Sequence, residues 1–506
     1  IIMKVKREQL DRLISAINIV IQRHDALRSV YIPVFPVSVA VVLKEYALRV
    51  DYHSIAPALP AYQQVEDLTH DMAVDKQPPI LLVVGQSEEN EVCHVKLMSH
   101  HLMLDQVGAS IVMNEVMTVL AGQSGLLTHP APYRSILAHI AEHTDNERAQ
   151  LFFKQQLSGV NSATTVAGIT QASFSKQVLS REEYLEAALS EKIRLTAQKY
   201  NTSPAVFFHT AFAILMSVVS NRHDVVFGSV FSGRQTTPPG SEQAVGMFMN
   251  TLPFRVNMNR ESAVGLFESV KESLLGYMSH EHFSLNQAKK FTGLDMADSL
   301  VNGVLNFRLG FAASQKDEVV ELLDDEDKMV PTSPLIVAIT DDAADFYVTL
   351  KVDSRINMVA VWNIFKTVMV NLIDHLTCLD GSINLVSDVG GISNRSLLLQ
   401  HSAGDAEKVN ASSFIAVELR KIWVNIFEFE ETQVSSATSL WECGTVINIE
   451  DFVQKVNTRF DTKLDRESIL TNHTFGQQVS YITQAFISGV PEDGLIKDST
   501  QEFGVI

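Results

Sequence analysis

Residues 99–110 read "SHHLMLDQVGAS": two adjacent histidines, three apolar residues, then an aspartate. Upstream, "PPILLVVGQSEENEVCHVKLMSHHL" predicts two strands of a hairpin around the polar "QSEENE", and downstream "GASIVMNEVMTVLAG" predicts a helix. The histidines therefore stand where a strand hands over to a helix. Three chemistries fit such a place: a metal site, a base with an orienting carboxylate, or the polar end of a buried strand. Zinc needs three or four converging ligands, whereas adjacent strand residues diverge and no cysteine or third histidine stands at helical spacing, so no metal is expected. "HEH" at 280–282 fails the same test.

The chain around this stretch has 506 residues, 46% of them hydrophobic, enough to fill more than one core. A net charge of −19 excludes the basic face that nucleic acid or an anionic membrane would require. Three scattered cysteines, Cys93, Cys378 and Cys443, form no C-x-x-C pair. Neither a disulfide framework nor a zinc knuckle is indicated, and a reducing cytoplasm is expected. The opening "IIMKVKREQLDRL" lacks the features of a signal peptide and reads as helix from the start.

Periodicity divides the rest. "REQLDRLISAINIVIQRHDAL" from Arg7 to Leu27 predicts an amphipathic helix, and "VAVVLKEYALRVDYH" predicts strand. "YRSILAHIAEHTDNERAQLFFKQQL" reads as one helical stretch, after which "SGVNSATTVAGITQASFSK" reads as a linker. Two helices and two strands follow, in "LEAALSEKIRLTAQKYN", "SPAVFFHTAFAILMSVVSN", "DVVFGSVFSGR" and "MNTLPFRVNM". The acidic "KDEVVELLDDEDK" at 316–328 reads as a solvated loop or strand edge. "HSAGDAEKVNASS" at 401–413 reads as a second linker before a helix-rich module.

Several of these stretches together resemble the condensation domains of nonribosomal peptide synthetases. The family's HHxxxDG core is matched by His100, His101 and Asp105, with Gln106 in the glycine's place; "RHDALRSVY" at 23–31, "FGSVFSGR" at 227–234, "VGMFMNTLPFR" at 245–255, "HEHFSL" at 280–285 and "NFR" at 306–308 follow in the family's order. The resemblance implies an α/β fold of two chloramphenicol-acetyltransferase-like lobes in a V, residues 1–157 and 170–400, with the histidine motif at the seam. It further implies that a strand and part of the first lobe precede residue 1. Residues 411–485 resemble a helical carrier (thiolation) domain, with 486–506 a tail. The carrier's LGGxSxx segment is replaced by "LWECGTVINIEDF", and counting back from Phe460 places the missing serine on Val446, so this carrier is expected to take no phosphopantetheine.

By the same resemblance His101 would face the tunnel and act on the acceptor amine, with an imidazole suited to that proton near neutral pH. His100 would face the core. Asp105 would form a structural ion pair, with Arg28 the first candidate partner and Arg255 the second, and Arg234 either a partner or an exposed charge. Gln106 would narrow the substrate's approach, Gly108 would partly restore the turn, and Gly108, Asn250 and Thr251 are candidates for a pantetheine or substrate tunnel, Asn250 and Thr251 with the alternative of capping a turn. The expected reaction joins a carrier-tethered acyl or peptidyl thioester to an aminoacyl acceptor as an amide. The expected partners are the two loaded carriers, bearing phosphopantetheine, and an adenylation domain. The alternatives are an ester-forming or cyclising release domain of the same fold, a non-catalytic docking or gating module, and acyl transfer from free coenzyme A.

Overall fold

A computed structural model describes residues 1–377 apart from 35–36, 57–59, 69, 71, 88–90, 171–177, 259–261, 296–297, 311–319 and 325–332, and beyond them 415, 418–426, 449–460 and scattered positions to 482. The linker expected at 401–413, Val446 and the tail at 486–506 lie outside the described residues. The chain divides into two compact units, Ile1–Leu399 and Gln400–Ile506.

The larger unit starts with β1 (Ile2–Lys6), α1 (Leu10–Arg23), the hairpin β2 (Ser29–Val34) and β3 (Val37–Val42), β4 (Arg49–Ser54), α2 (Ala61–Glu66), β5 (Ile80–Gln86) and β6 (Val92–Ser99). The helices α3 (Gln106–Leu120), α4 (Tyr133–His143) and α5 (Asn146–Leu157) follow. Cys93, Val95 and Leu97 of β6 point inward on alternate positions, as the pleat requires, while β5 is buried along nearly its whole length. The apolar stripe of α1, Leu13, Ile17, Val20 and Ile21, closes on Val112, Met113 and Val116 of α3 over this sheet to form the first core. The opening residues are a strand, correcting the helical reading: "IMKVK" pairs antiparallel with β6, and the helical period begins only at Leu10.

The second lobe holds β7 (Val178–Tyr184), α6 (Ala187–Lys199), α7 (Pro204–Ser220), β8 (Asp224–Phe231), β9 (Asn250–Asn257), α8 (Ala263–Met278) and α9 (Leu285–Lys289). It continues with β10 (Gly303–Leu309), β11 (Val320–Asp324), β12 (Leu335–Asp341), β13 (Phe346–Asp353) and α10 (Met358–Thr377). Six strands form a mixed sheet in the order β7-β13-β12-β10-β8-β9, in which β10 runs parallel to both its neighbours. α7 is apolar nearly all round and is buried at the centre of the second core between the sheet and α8 and α10.

Three crossings tie the lobes. β11, from the acidic stretch, joins the first lobe's sheet as its edge, giving the order β11-β1-β6-β5-β4. Val245 belongs to the first core. Ala149, Phe153 and Leu157 of α5 belong to the second, so in space the division falls before α5 rather than at residue 157. The single helical stretch expected over 133–157 is broken at Thr144, where the backbone is extended and Asp145 caps α5 by accepting the Arg148 N–H at 2.9 Å. Nor are the described residues of the expected linker, 158–170, a bare linker: Val160, Thr164 and Val166 are buried.

The smaller unit packs Ile415, Leu419 and Trp423 against Phe452, Val456 and Phe460 of the helix Ile449–Phe460. Trp423 Nε1 donates to Gln478 Oε1 at 2.9 Å inside that core. Among the described residues no single helix is long and apolar enough to cross a membrane.

Candidate active site

β6 ends at Ser99 and the chain turns at once, the Met103 N–H donating to the His100 carbonyl at 2.9 Å. This turn overturns the expected inward His100: the ring is exposed, and its Nδ1 accepts the Leu102 N–H at 3.0 Å. His101 is half-buried, with Nδ1 3.1 Å from the Leu104 carbonyl oxygen. A carbonyl can only accept, so Nδ1 carries the proton and the neutral ring's lone pair lies on Nε2.

Asp105 is buried and caps α3, accepting the Gly108 N–H on Oδ1 at 2.7 Å and the Phe248 N–H on Oδ2 at 3.1 Å. Its ion-pair partner is Arg234, whose Nη2 lies 3.0 Å from both carboxylate oxygens. Neither Arg28 nor Arg255 takes that place. Arg28 pairs with Asp25 at 2.7 Å and donates to the Leu43 carbonyl; Arg255 pairs with Asp224 across the β8–β9 ladder at 2.7 Å. Both find a carboxylate close to their own backbone, three residues away for Arg28 and on the adjacent strand for Arg255.

Arg234 is delivered by the loop after β8. Gly233 has φ +67°, and a Cβ there would lie 1.9 Å from the Phe248 carbonyl oxygen, so only glycine makes this bend. The guanidinium then donates to the Ser241 and Ala244 carbonyls at 2.7 and 3.0 Å and stacks 4.2 Å over the Phe248 ring. Sequence reasoning missed the residue behind this loop, Glu281. Its buried Oε1 accepts the N–H groups of Gln235 and Thr236 at 2.8 and 2.9 Å. The "HEHFSL" stretch was its signal. Asn250 anchors the same stretch, Nδ2 donating to the Glu281 and Phe283 carbonyls at 2.8 and 2.7 Å, and so serves the scaffold.

"RHDAL" acts at the far side of α3. Arg23 and buried His24 both bond the Glu115 carboxylate, at 2.8 and 2.9 Å, fastening α1 to α3. Burial pushes the Glu115 carboxyl up, but the hydrogen bonds and charges of His24 and Arg23 outweigh it and hold it down at about 2.

A cavity of about 960 Å³ opens beside this framework, lined by Gln106 and Ser110 of α3 and by Met249, Thr251, Asn306, Arg308 and Thr340 from the second lobe. Thr251 thus reaches the cavity, whereas His101 and Asn250, also expected at the tunnel, are not among its lining residues. Gly108 does not restore a turn; it lies buried in the first turn of α3, where a Cβ would come 2.7 Å from Leu104 Cδ1 and 3.3 Å from the Gly246 nitrogen, so it lets the two lobes approach.

A family model, the condensation domain, matches residues 2–388. The chain belongs to the condensation-domain family. This condensation domain is 26% identical over 380 residues to malpibaldin synthetase of Mortierella alpina, covering 73% of this chain and 7% of that protein. It is 24% identical over 292 residues to bacitracin synthase 3 of Bacillus licheniformis, covering 55% and 5%. The chain thus spans less than a tenth of the length of these relatives. In fold it is similar to the condensation domain of the monacolin K polyketide synthase MokA, with a TM-score of 0.61, 15% identity and coverage of 76% of this chain and 92% of that one. It is likewise similar to the teicoplanin X-domain solved in complex with OxyB, with a TM-score of 0.62, 13% identity and coverage of 78% and 90%.

Proposed function

We propose that this chain forms an amide bond between a carrier-tethered acyl or peptidyl thioester and the amine of an aminoacyl acceptor, as part of a nonribosomal peptide synthetase. The observation that carries this reading is the His101 Nδ1 contact with the Leu104 carbonyl at 3.1 Å, which puts the ring proton on Nδ1 and the basic lone pair on Nε2. His101 Nε2 positions the acceptor amine and receives its proton as nitrogen attacks the thioester carbon; the C–S bond then breaks and the departing sulfur takes up a proton. Asp105, its charge met by Arg234, holds the turn and α3 in place. Thr251, Asn306, Thr340 and Thr349 line the cavity with neutral hydrogen-bonding groups that suit the amides of a phosphopantetheine arm borne by donor and acceptor carriers. An adenylation domain would load the acceptor. Residues 411–485 are a carrier-like module in which Val446 stands at the attachment position, so the arms come from other carriers.

His101→Ala should lower condensation between a loaded donor carrier and an acceptor amine by about 10²–10⁴-fold, with an unchanged Tm. Unchanged turnover would defeat the catalytic role of His101, and absence of turnover in the wild-type chain would leave the docking module as the reading. An acceptor series with amine and hydroxyl nucleophiles separates amide from ester formation.

A further inference from the structure

Gln106 opens α3 and lines the cavity from the first lobe, while Arg308, near the end of β10, lines it from the second. Arg308 Nη1 donates to Gln106 Oε1 at 2.6 Å, and Arg308 Nε donates to Thr340 Oγ1 at 2.7 Å. Arg308 and Thr340 are register partners on β10 and β12, so the guanidinium is held on its own sheet while it reaches the other lobe. The planar fork of arginine fixes both donors at once, so the guanidinium cannot swing aside without breaking one of these bonds. The same register places Val304 beside Ile336 and Asn306 beside Ala338. All four line the cavity, whose floor therefore grades from apolar at Val304 and Ile336 to polar at Arg308 and Thr340.

We infer that Gln106 and Arg308 form a crossbar between the lobes that sets the size of the acyl or aminoacyl group admitted to the cavity. Short groups fit beneath the bar, and long or bulky ones enter only when the 2.6 Å bond is broken. Gln106 is then a specificity-determining residue and Arg308 its anchor. The inference rests on the cavity being the thioester site.

The test compares acetyl and octanoyl pantetheine thioesters as donors for the wild-type chain and for Gln106→Gly, Gln106→Glu and Arg308→Ala. Non-reactive thioether analogues of the same two chains are titrated in parallel by calorimetry. Gln106→Gly and Arg308→Ala should raise the octanoyl-to-acetyl ratio of kcat/KM by about tenfold or more, and Gln106→Glu, which keeps an acceptor for Arg308, should retain the wild-type ratio. Should Gln106→Gly fail to fold by its Tm, Gln106→Ala takes its place. Turnover with an unchanged ratio overturns the crossbar and leaves amide formation standing. Absence of turnover in every protein, with thioether binding shifted toward the longer chain in the variants, keeps the crossbar and defeats amide formation. Absence of both shifts overturns the crossbar.

Discussion

Asp105 gathers four interactions on one buried side chain: a cap on α3, the Phe248 N–H and two contacts from Arg234. Removing the carboxylate strands a guanidinium whose own surroundings are buried, a cost of about 3–5 kcal/mol. Asp105→Ala should therefore lower the stability measured by chemical denaturation by that amount, and Arg234→Leu in the same chain should recover part of it. A double-mutant cycle of Asp105 with Arg28 or with Arg255 should return no coupling, since each of those arginines has its own carboxylate. The His-His-Asp pattern was legible because its residue types sit together in sequence. The arginine that answers Asp105 was not, because three arginines stood in resembling stretches. Which one arrives depends on the left-handed bend at Gly233 and on backbone acceptors at Ser241 and Ala244.

Among the elements, α7 and β8 are joined by an imidazole. His209 on α7 is fully enclosed, Nδ1 lying 2.7 Å from the Ala205 carbonyl and Nε2 2.8 Å from Ser229 Oγ on β8. Burial pushes its pKa from 6.5 down to about 4, only partly offset by the Ala205 hydrogen bond. The folded chain keeps the ring neutral while the unfolded chain gains a proton, so this contribution is complete above pH 6.5 and is lost as pH falls toward 4. Over that window the lobe should lose about 3 kcal/mol of stability, as read by urea denaturation at pH 7 and pH 4. His209→Gln should flatten the pH slope between them. Most elements were legible from periodicity, α1, α3, α6, α7 and the β5–β6 hairpin among them. The errors fell where period and partner disagree. "IMKVK" is too short to show its alternation, and the break at Thr144 is set by the Asp145 cap rather than by a glycine or proline.

At the scale of the whole molecule, the carrier-like reading of 411–485 makes a direct demand: with Val446 at the attachment position there is no hydroxyl to accept the phosphopantetheine arm. Incubation with a phosphopantetheinyl transferase and coenzyme A should add no mass to the chain. An adduct in the intact-protein mass spectrum, mapped to Ser439, would show that the alignment is wrong. The crossover of β11 bears on how this molecule comes into being. β1 is flanked by β6 on one side and by β11 on the other, and the second pairing joins Ile2 to Asp324. Synthesis at about 5–20 residues per second leaves one side of β1 without its native neighbour for roughly 15–60 s after β1 emerges. Throughout that interval an edge of "IMKVK" is open to pairing with any passing strand. A chain cut short before residue 320 therefore cannot complete its first sheet, and until β11 has been made the edge of β1 stays open to wrong partners.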